Sequence, residues 1–275
     1  MAYQREKIAD FIHDSLSKEK QTLIKQYEQS KNAIGYFFID NVLPDELALK
    51  LHESFPTINE TVKKKNIREF KHVAYQMNEY DTLLEEALYA FQDHRIVNLI
   101  SEICSLKDIH ADTHLYAGGL SLMEKNNYLN PHLDNSHDKD RNHWRVLNLL
   151  YYTTPNWKLE NGGNLELWPN GLKEKQITVE SKFNRLVVMA THQKSWHSVS
   201  KVEVDDTRYC ISNYYFSDTP VLATDTFHVT TFRGRPNEKF KNIFLKADSY
   251  VRNGLRTLFK KGIKENPHQY KKKKD

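Results

Sequence analysis

Two kinds of hydrophobic spacing divide the chain near residue 110. Before that point apolar residues recur every three or four positions, which predicts amphipathic helices over residues 4–31 and 80–106. Between these helices, GYFFIDNVLP combines aromatic and β-branched residues and ends at Pro44, which predicts a strand, and ELALKLHESF behind it predicts another helix. Residues 60–75 are polar and show neither period.

Alternating segments and turns dominate residues 110–218. They are THLYAGGLSLM, RVLNLLYY, NLELWP, KQITV, NRLVVMA, HSVSKVEV and RYCISNYYF. Short strands at this spacing favour a sandwich or barrel over alternating strands and helices. Residues 219–275 then form an extension with a Gly/Pro turn, a predicted helix near 239–260 and a lysine-rich end.

Composition and charge exclude several classes of protein. The chain has 275 residues, of which 39% are hydrophobic and 12% aromatic, so it can form a core and is not globally disordered. The net charge of +4 arises from residues 260–275, which alone carry +5 and leave the remainder at −1. We therefore expect no nucleic-acid binding by the core. The basic tail is a candidate contact for an anionic partner, and a solvated, disordered tail is the alternative.

The expected location is the cytoplasm. No apolar run approaches the length of a membrane span, and the first residues are charged without the apolar segment of a secretory signal. The two cysteines, Cys104 and Cys210, cannot build a disulfide framework. These features are typical of a protein in a reducing compartment.

The most specific chemical signal is the tripeptide His132-Leu133-Asp134. On a strand, residues i and i+2 point to the same side, so an imidazole and a carboxylate lie side by side. His197, at the start of a later strand, would complete a set of two histidines and one carboxylate. That set suits Fe(II) in an oxygenase because it leaves positions open for a cosubstrate and O2. A surface turn is the alternative, since Asn130 and Pro131 precede the tripeptide.

Three further polar residues accompany this set. Arg208 follows His197 by 11 residues on RYCISNYYF, and a guanidinium is a natural partner for the distal carboxylate of 2-oxoglutarate. Asn148 and Tyr152 share one face of RVLNLLYY and are predicted to line the same pocket, unless Tyr152 packs in the core and Asn148 pairs with backbone. Counting from Arg208 by twos places three residues on its face: Cys210, Ser212 and Tyr214.

Taken together, these segments resemble the Fe(II)/2-oxoglutarate dioxygenases of the prolyl-4-hydroxylase type, including their oxygen-sensing branch. The resemblance rests on the order of HLDNS, RVLNLLYYTTPNW, GGNLELWP, FNRLVVMATHQKSWHSV and TRYCISNYYF. It implies a mainly β fold with flanking helices and a double-stranded β-helix (jelly-roll, cupin-like) core at about 110–218. The implied division is a helical segment over 1–33, a dioxygenase domain over 34–218 and a C-terminal extension over 219–275.

The resemblance also implies roles for five residues. His132, Asp134 and His197 would bind iron, and Arg208 and Tyr152 would bind the C5 carboxylate of 2-oxoglutarate. The implied reaction is hydroxylation of an unactivated C–H bond with release of succinate and CO2. O2 is the cosubstrate, and ascorbate is a supporting reductant. A carboxylate at the second ligand position favours hydroxylation over halogenation, whereas desaturation and epimerisation stay open.

Candidate substrate contacts are less specific. Arg145 matches an arginine that faces the substrate in the oxygen-sensing branch, and a surface charge is the alternative. The other candidates are Asn135, His137, Tyr128 and Trp196. Ser121 stands in a region where the family often has a tyrosine, so Tyr128 either compensates or contacts substrate. These polar surroundings favour a polar or anionic substrate: a prolyl or other amino-acid residue of a peptide or protein, or a small metabolite.

Two alternatives belong to other classes of function. One is a zinc or manganese cupin-like hydrolase or isomerase, because two histidines and a carboxylate also suit zinc. The other is a non-catalytic binding module of the same fold. Arg208 with Tyr152 argues against the first, and the complete set of ligands argues against the second. The pattern leaves the oligomeric state open.

Overall fold

The computed structural model describes residues 3–258 and 268–271, which form one antiparallel sheet flanked by helices. The helices are α1 (Arg5–Ser30), α2 (Asp45–Glu53), α3 (Thr82–Ala90), α4 (His94–Cys104) and α5 (Lys239–Leu258). The strands are β1 (Tyr36–Asp40), β2 (Val62–Lys65), β3 (Glu69–Ala74), β4 (Ile109–Ala111), β5 (Gly119–Met123), β6 (Tyr128–Leu133), β7 (Trp144–Tyr152), β8 (Leu165–Leu167), β9 (Ile177–Val179), β10 (Arg185–Ala190), β11 (His197–Val199), β12 (Arg208–Ser217) and β13 (Thr231–Phe232).

The strand order confirms the predicted jelly-roll architecture. The main path runs β1-β10-β7-β12-β5-β3-β6-β11-β8-β9, and every pairing is antiparallel. The long strand β12 lies at the centre, between β7 on one side and β5 on the other. The short strand β11 pairs with both β6 and β8 and places His197 opposite His132.

Helix α1 forms because its apolar residues recur at helical spacing. Ile8, Ile12, Leu16 and Leu23 are buried on one face. That face packs against α3, α4 and β1 and joins the same core as the inner residues of β7, β10 and β12. The three-part division of the chain stays a prediction, and within the described residues α1 and the sheet share one hydrophobic core.

The hairpin of β2 and β3 occupies residues 62–74, where the sequence shows no period. β2 has three consecutive lysines and therefore no alternation of polar and apolar residues. The ammonium groups of Lys63 and Lys65 lie 5.3 and 4.7 Å from the ring centroid of Phe70. β3 nevertheless pairs with both β5 and β6. The hairpin therefore extends the sheet beside the strand that carries His132.

The C-terminal extension contributes to the sheet as well. β13 pairs with β6, and α5 follows it. Residues 268–271 lie beside the entry to β5, where the Ala117 N–H donates to the carbonyl of His268. Most of the predicted lysine tail, including residues 260–264 and 272–274, lies outside the described residues. Among the described helices, none combines the length and apolar character needed to cross a bilayer.

Candidate active site

Strands β6 and β11 bring His132, Asp134 and His197 together. The imidazole Nε2 of His132 lies 3.5 Å from one Asp134 oxygen, and Nε2 of His197 lies 3.6 Å from the other. The two imidazole centroids are 4.0 Å apart. All three residues are buried, and one donor atom from each lies within 4.8 Å of the others. Two nitrogens and a carboxylate oxygen at this spacing can hold one divalent metal ion.

Backbone carbonyls fix both imidazoles in the orientation that metal binding requires. Nδ1 of His132 donates to the carbonyl of Asn130 at 3.0 Å, and Nδ1 of His197 donates to the carbonyl of Ser195 at 2.9 Å. The Nε2 lone pairs therefore point toward Asp134. Burial lowers the pKa of His197 to about 4, so this imidazole is neutral at neutral pH.

The Asp134 carboxylate is ionised in this environment. Burial alone raises its pKa, but the adjacent His197 and His132 outweigh burial and hold the pKa below its usual range. The side-chain amide of Asn148 lies 3.5 Å from the second Asp134 oxygen. A carboxylate oxygen and two imidazole nitrogens form a donor set that fits Fe(II).

The cavity beside these residues has a volume of about 410 Å³. Arg208, Tyr152 and Asn148 all line it, as predicted from their strand positions. Arg208 is 3% exposed, and its guanidinium lies 5.3 Å from the ring centroid of Tyr152. Within the described chain, neither the Arg208 Nε nor the Tyr152 hydroxyl has a hydrogen-bond partner. Two buried donors without an acceptor fit the carboxylate of a ligand.

The alternation of side chains along β12 and the absence of a side chain at Gly163 allow the Arg208 side chain to lie in the cavity. Cys210, Ser212 and Tyr214 line the cavity with it, which confirms the count by twos along β12. Gly163 has a φ of +66°, and a Cβ there would lie 3.1 Å from Cδ of Arg208. The glycine thus leaves room for the arginine side chain.

Two of the five candidate substrate residues, Arg145 and Asn135, line the cavity. Arg145 is 3% exposed, and its guanidinium lies 3.9 Å from the ring centroid of Tyr214. It donates one hydrogen bond, at 3.0 Å, to the carbonyl of Tyr116. Its Nε has no partner, and no carboxylate lies within 4 Å of its nitrogens among the residues that the structure describes. Arg145 is therefore buried rather than a surface charge.

The other three candidates lie outside the cavity lining. The pairing of β11 with β6 shifts register between His197 and Val199, and this irregularity places Leu129 rather than Tyr128 toward the cavity. Trp196 precedes His197 and so points to the opposite side, where the Arg233 guanidinium covers its ring. His137 is buried beneath Phe227, with ring centroids 4.2 Å apart.

The opposite wall of the cavity comes from segments that sequence reasoning did not assign to the site. The hairpin β2–β3 and the C-terminal extension supply these residues: Lys64, Arg68, Glu69, Lys71, Thr230, Phe232, Arg252 and His268. The only local signal was the density of basic residues in VKKKNIREFK. The pairing of β3 and β13 with β6 brings these segments to His132.

Comparison with known proteins finds one family match, in the strand-rich part of the chain. Residues 118–216, which include the three candidate ligands and Arg208, match the sequence profile of the 2OG-Fe(II) oxygenase superfamily. This segment is similar to the 2OG-Fe(II) oxygenases. No curated protein matches its sequence significantly.

Solved structures show the same oxygenase fold. A prolyl-4-hydroxylase from Pseudomonas putida is similar with a TM-score of 0.53 and 17% identity, covering 72% of this chain and 99% of its own. A prolyl 4-hydroxylase from Phytophthora capsici has a TM-score of 0.56 and 18% identity, covering 94% and 79%. A Trichoplax adhaerens prolyl hydroxylase, solved with a hypoxia inducible factor peptide fragment, has a TM-score of 0.51 and 21% identity, covering 74% and 92%.

The superfamily match confirms the predicted cofactors. Oxygenases of this superfamily use Fe(II) and 2-oxoglutarate. The triad of His132, Asp134 and His197 is a donor set that could bind the metal, and the paired donors of Arg208 and Tyr152 suit the dicarboxylate. The match also favours an oxygenase over the cupin-like hydrolase or isomerase.

Proposed function

We propose that this oxygenase is a hydroxylase whose Fe(II) is held by His132, Asp134 and His197. Arg208 and Tyr152 receive the distal carboxylate of 2-oxoglutarate. The observation that carries the proposal is the convergence of these side chains, from β6, β7, β11 and β12, on one cavity. When bound, iron and 2-oxoglutarate supply the oxidising power that inserts one atom of O2 into a C–H bond and releases succinate and CO2.

The chain's own residues bind and orient the cosubstrate. Arg208 supplies a positive charge at a buried position, where an ion pair is stronger than at the surface. Burial raises the pKa of Tyr152 above its usual range, so its phenol keeps its proton and donates a hydrogen bond. Asn148, on β7, orients the Asp134 carboxylate.

We propose further that the substrate carries an anionic group. Basic residues on the cavity wall outnumber acidic ones, and three of the basic residues already pair with carboxylates. Arg68 and Arg252 share Asp248, and Lys71 pairs with Glu69 at 3.2 Å.

Arg208 is already assigned to 2-oxoglutarate. Arg145 is the other arginine of the wall that is buried without a carboxylate partner within 4 Å in the described chain, and it lies beside Tyr214. It is the residue best suited to receive a substrate carboxylate or phosphate, because a guanidinium binds either group bidentately. Peptides with acidic side chains and anionic metabolites both meet this requirement.

Succinate release during a substrate screen tests the proposal. We expect acidic peptides or anionic metabolites to stimulate release, and Arg145→Gln to raise the KM for that substrate with little change in the KM for 2-oxoglutarate. Arg141→Gln is the matched control, because Arg141 precedes the same strand but does not line the cavity. Preferential turnover of neutral compounds, or an Arg145 variant indistinguishable from the control, would contradict the anionic assignment.

A further inference from the structure

A second group of metal-ligating side chains lies outside the active site. His110 on β4, His143 just before β7 and Asp218 just after β12 each place one donor atom within 4.8 Å of the other two. Nε2 of His110 lies 2.9 Å from Oδ1 of Asp218, and Nε2 of His143 lies 3.5 Å from the same oxygen. The two imidazole centroids are 4.9 Å apart.

Asp138 orients one of these ligands from behind. Its Oδ2 accepts a hydrogen bond of 3.0 Å from Nδ1 of His143, which leaves the Nε2 lone pair directed at Asp218. The other oxygen, Oδ1, accepts from the backbone N–H of Asn142 at 2.9 Å. A carboxylate that holds the far nitrogen of a histidine is the arrangement that typically supports a metal ligand in proteins.

The negative charge of the two nearby carboxylates also favours binding of a cation. Among the described residues, neither Asp138 nor Asp218 pairs with a lysine or an arginine within 4 Å. Their ion-pair partners are His110 and His143, which are half exposed and 38% exposed respectively. Two carboxylates and two imidazoles thus share a surface site to which the described part of the chain contributes no lysine or arginine within 4 Å of either carboxylate.

We propose that His110, His143 and Asp218 form a surface zinc site, with Asp138 as the positioning residue for His143. Zn²⁺ prefers imidazole nitrogens and carboxylate oxygens in a tetrahedral arrangement, and three protein ligands leave one position for water. The adjacent strands β4, β12 and β7 supply the framework, since Phe216 pairs with His110 and Ser217 pairs with Trp144. The site is independent of the proposed hydroxylase chemistry.

The zinc site would also restrain the segment that leads from Asp134 to β7. Asn135 donates to the carbonyl of His137 at 2.8 Å, and Nδ1 of His137 donates to the carbonyl of Asp138 at 2.9 Å. Asp138 in turn holds His143. A metal ion on His143 would therefore tie this chain of contacts to β4 and β12, next to the active site.

Zinc binding to the full chain tests the proposal, with Zn²⁺ alone as the probe and a chromogenic chelator as competitor. We expect two Zn²⁺ per wild-type chain, one in the active-site triad and one at the surface. His132→Ala should retain one ion, and Asp218→Asn in that background should lose it. Asp138→Asn should weaken surface binding by at least about tenfold, the usual effect of removing such a supporting carboxylate.

The matched control is Asp14→Asn. It removes an exposed carboxylate that has one histidine beside it, His13, at 3.8 Å. It should leave both ions bound. If circular dichroism shows that Asp218→Asn is unfolded, His110→Gln replaces it, because that change removes a ligand from a different strand. A single zinc ion that is lost entirely in His132→Ala, or a second ion that survives Asp218→Asn and His110→Gln, would overturn the proposal.

Discussion

Replacement of Arg208 should weaken 2-oxoglutarate binding far more than it changes turnover. Arg208 is 3% exposed and its guanidinium lies beside the Tyr152 ring, so water cannot readily replace it as a partner for a carboxylate. In Arg208→Gln the bound dicarboxylate would keep a buried negative charge without its counter-charge. Arg208→Lys keeps the positive charge but not the paired N–H donors. Its affinity for 2-oxoglutarate should therefore lie between those of the wild-type protein and Arg208→Gln.

The expected magnitude follows from the burial of the site. Removing one partner of a buried ion pair costs about 3–5 kcal/mol, because the remaining charge stays desolvated. At about 1.4 kcal/mol for each factor of ten, this corresponds to a rise of roughly 10²- to 4 × 10³-fold in the KM for 2-oxoglutarate. At saturating 2-oxoglutarate, kcat should change much less, because Arg208 lies at the end of the cosubstrate away from the triad in the proposed arrangement.

The assay is succinate formation at varied 2-oxoglutarate with the other components saturating. Arg185→Gln is the control, because Arg185 is also nearly buried but pairs with Asp40 on the other side of β10 from β7. It should lower stability and leave the KM for 2-oxoglutarate nearly unchanged. A folded Arg208→Gln protein whose KM stays within threefold of wild type would refute the reasoning.

Three further predictions concern stability and are checked by urea unfolding. Burial raises the pKa of Asp112 to about 6 in the folded protein, whereas the pKa of an aspartate in the unfolded chain is about 3.9. Because the folded protein holds this proton more tightly, the free energy of unfolding falls as pH rises from about 4 to 6. Asp112→Asn should therefore raise the free energy of unfolding by up to about 3 kcal/mol above pH 6 and leave it unchanged below pH 4. An effect of Asp112→Asn that does not depend on pH would contradict this prediction. Asn184→Ala should cost about 3–5 kcal/mol, since the Asn184 side chain bonds both the N–H and the carbonyl of Leu43 as well as the Tyr151 hydroxyl. Gly162→Ala should cost at least about 2 kcal/mol, because φ is +74° and the new Cβ would lie 1.9 Å from a backbone oxygen.

The residues that the sequence identified are those with a strong local pattern. His132 and Asp134 are two positions apart on a strand, and their side chains point into one cavity as the alternation requires. Arg208 and Tyr152 lie on strands whose apolar alternation is clear. Helix α1 was likewise predictable, because its buried residues follow a helical period over the whole element.

The remaining parts of the site depend on long-range pairing that leaves no periodic signal. The hairpin β2–β3 is charged on both faces, so its strands have no hydrophobic alternation, and β13 is only two residues long. Tyr128 points away from the cavity because the register of β6 shifts along its length. Local spacing cannot predict a bulge or the neighbour of a short strand, and both decide which side chains reach the metal-binding residues.

Anaerobic titration with Fe(II) and 2-oxoglutarate tests the central claim most directly. We expect wild-type protein to develop the weak visible charge-transfer band of 2-oxoglutarate bound to Fe(II), with one equivalent of each. His132→Ala should give no band, and Arg208→Ala should require at least a hundredfold more 2-oxoglutarate to develop it. Absence of the band in wild type, or an unchanged band in His132→Ala, would contradict the assignment of this cavity as the oxygenase active site.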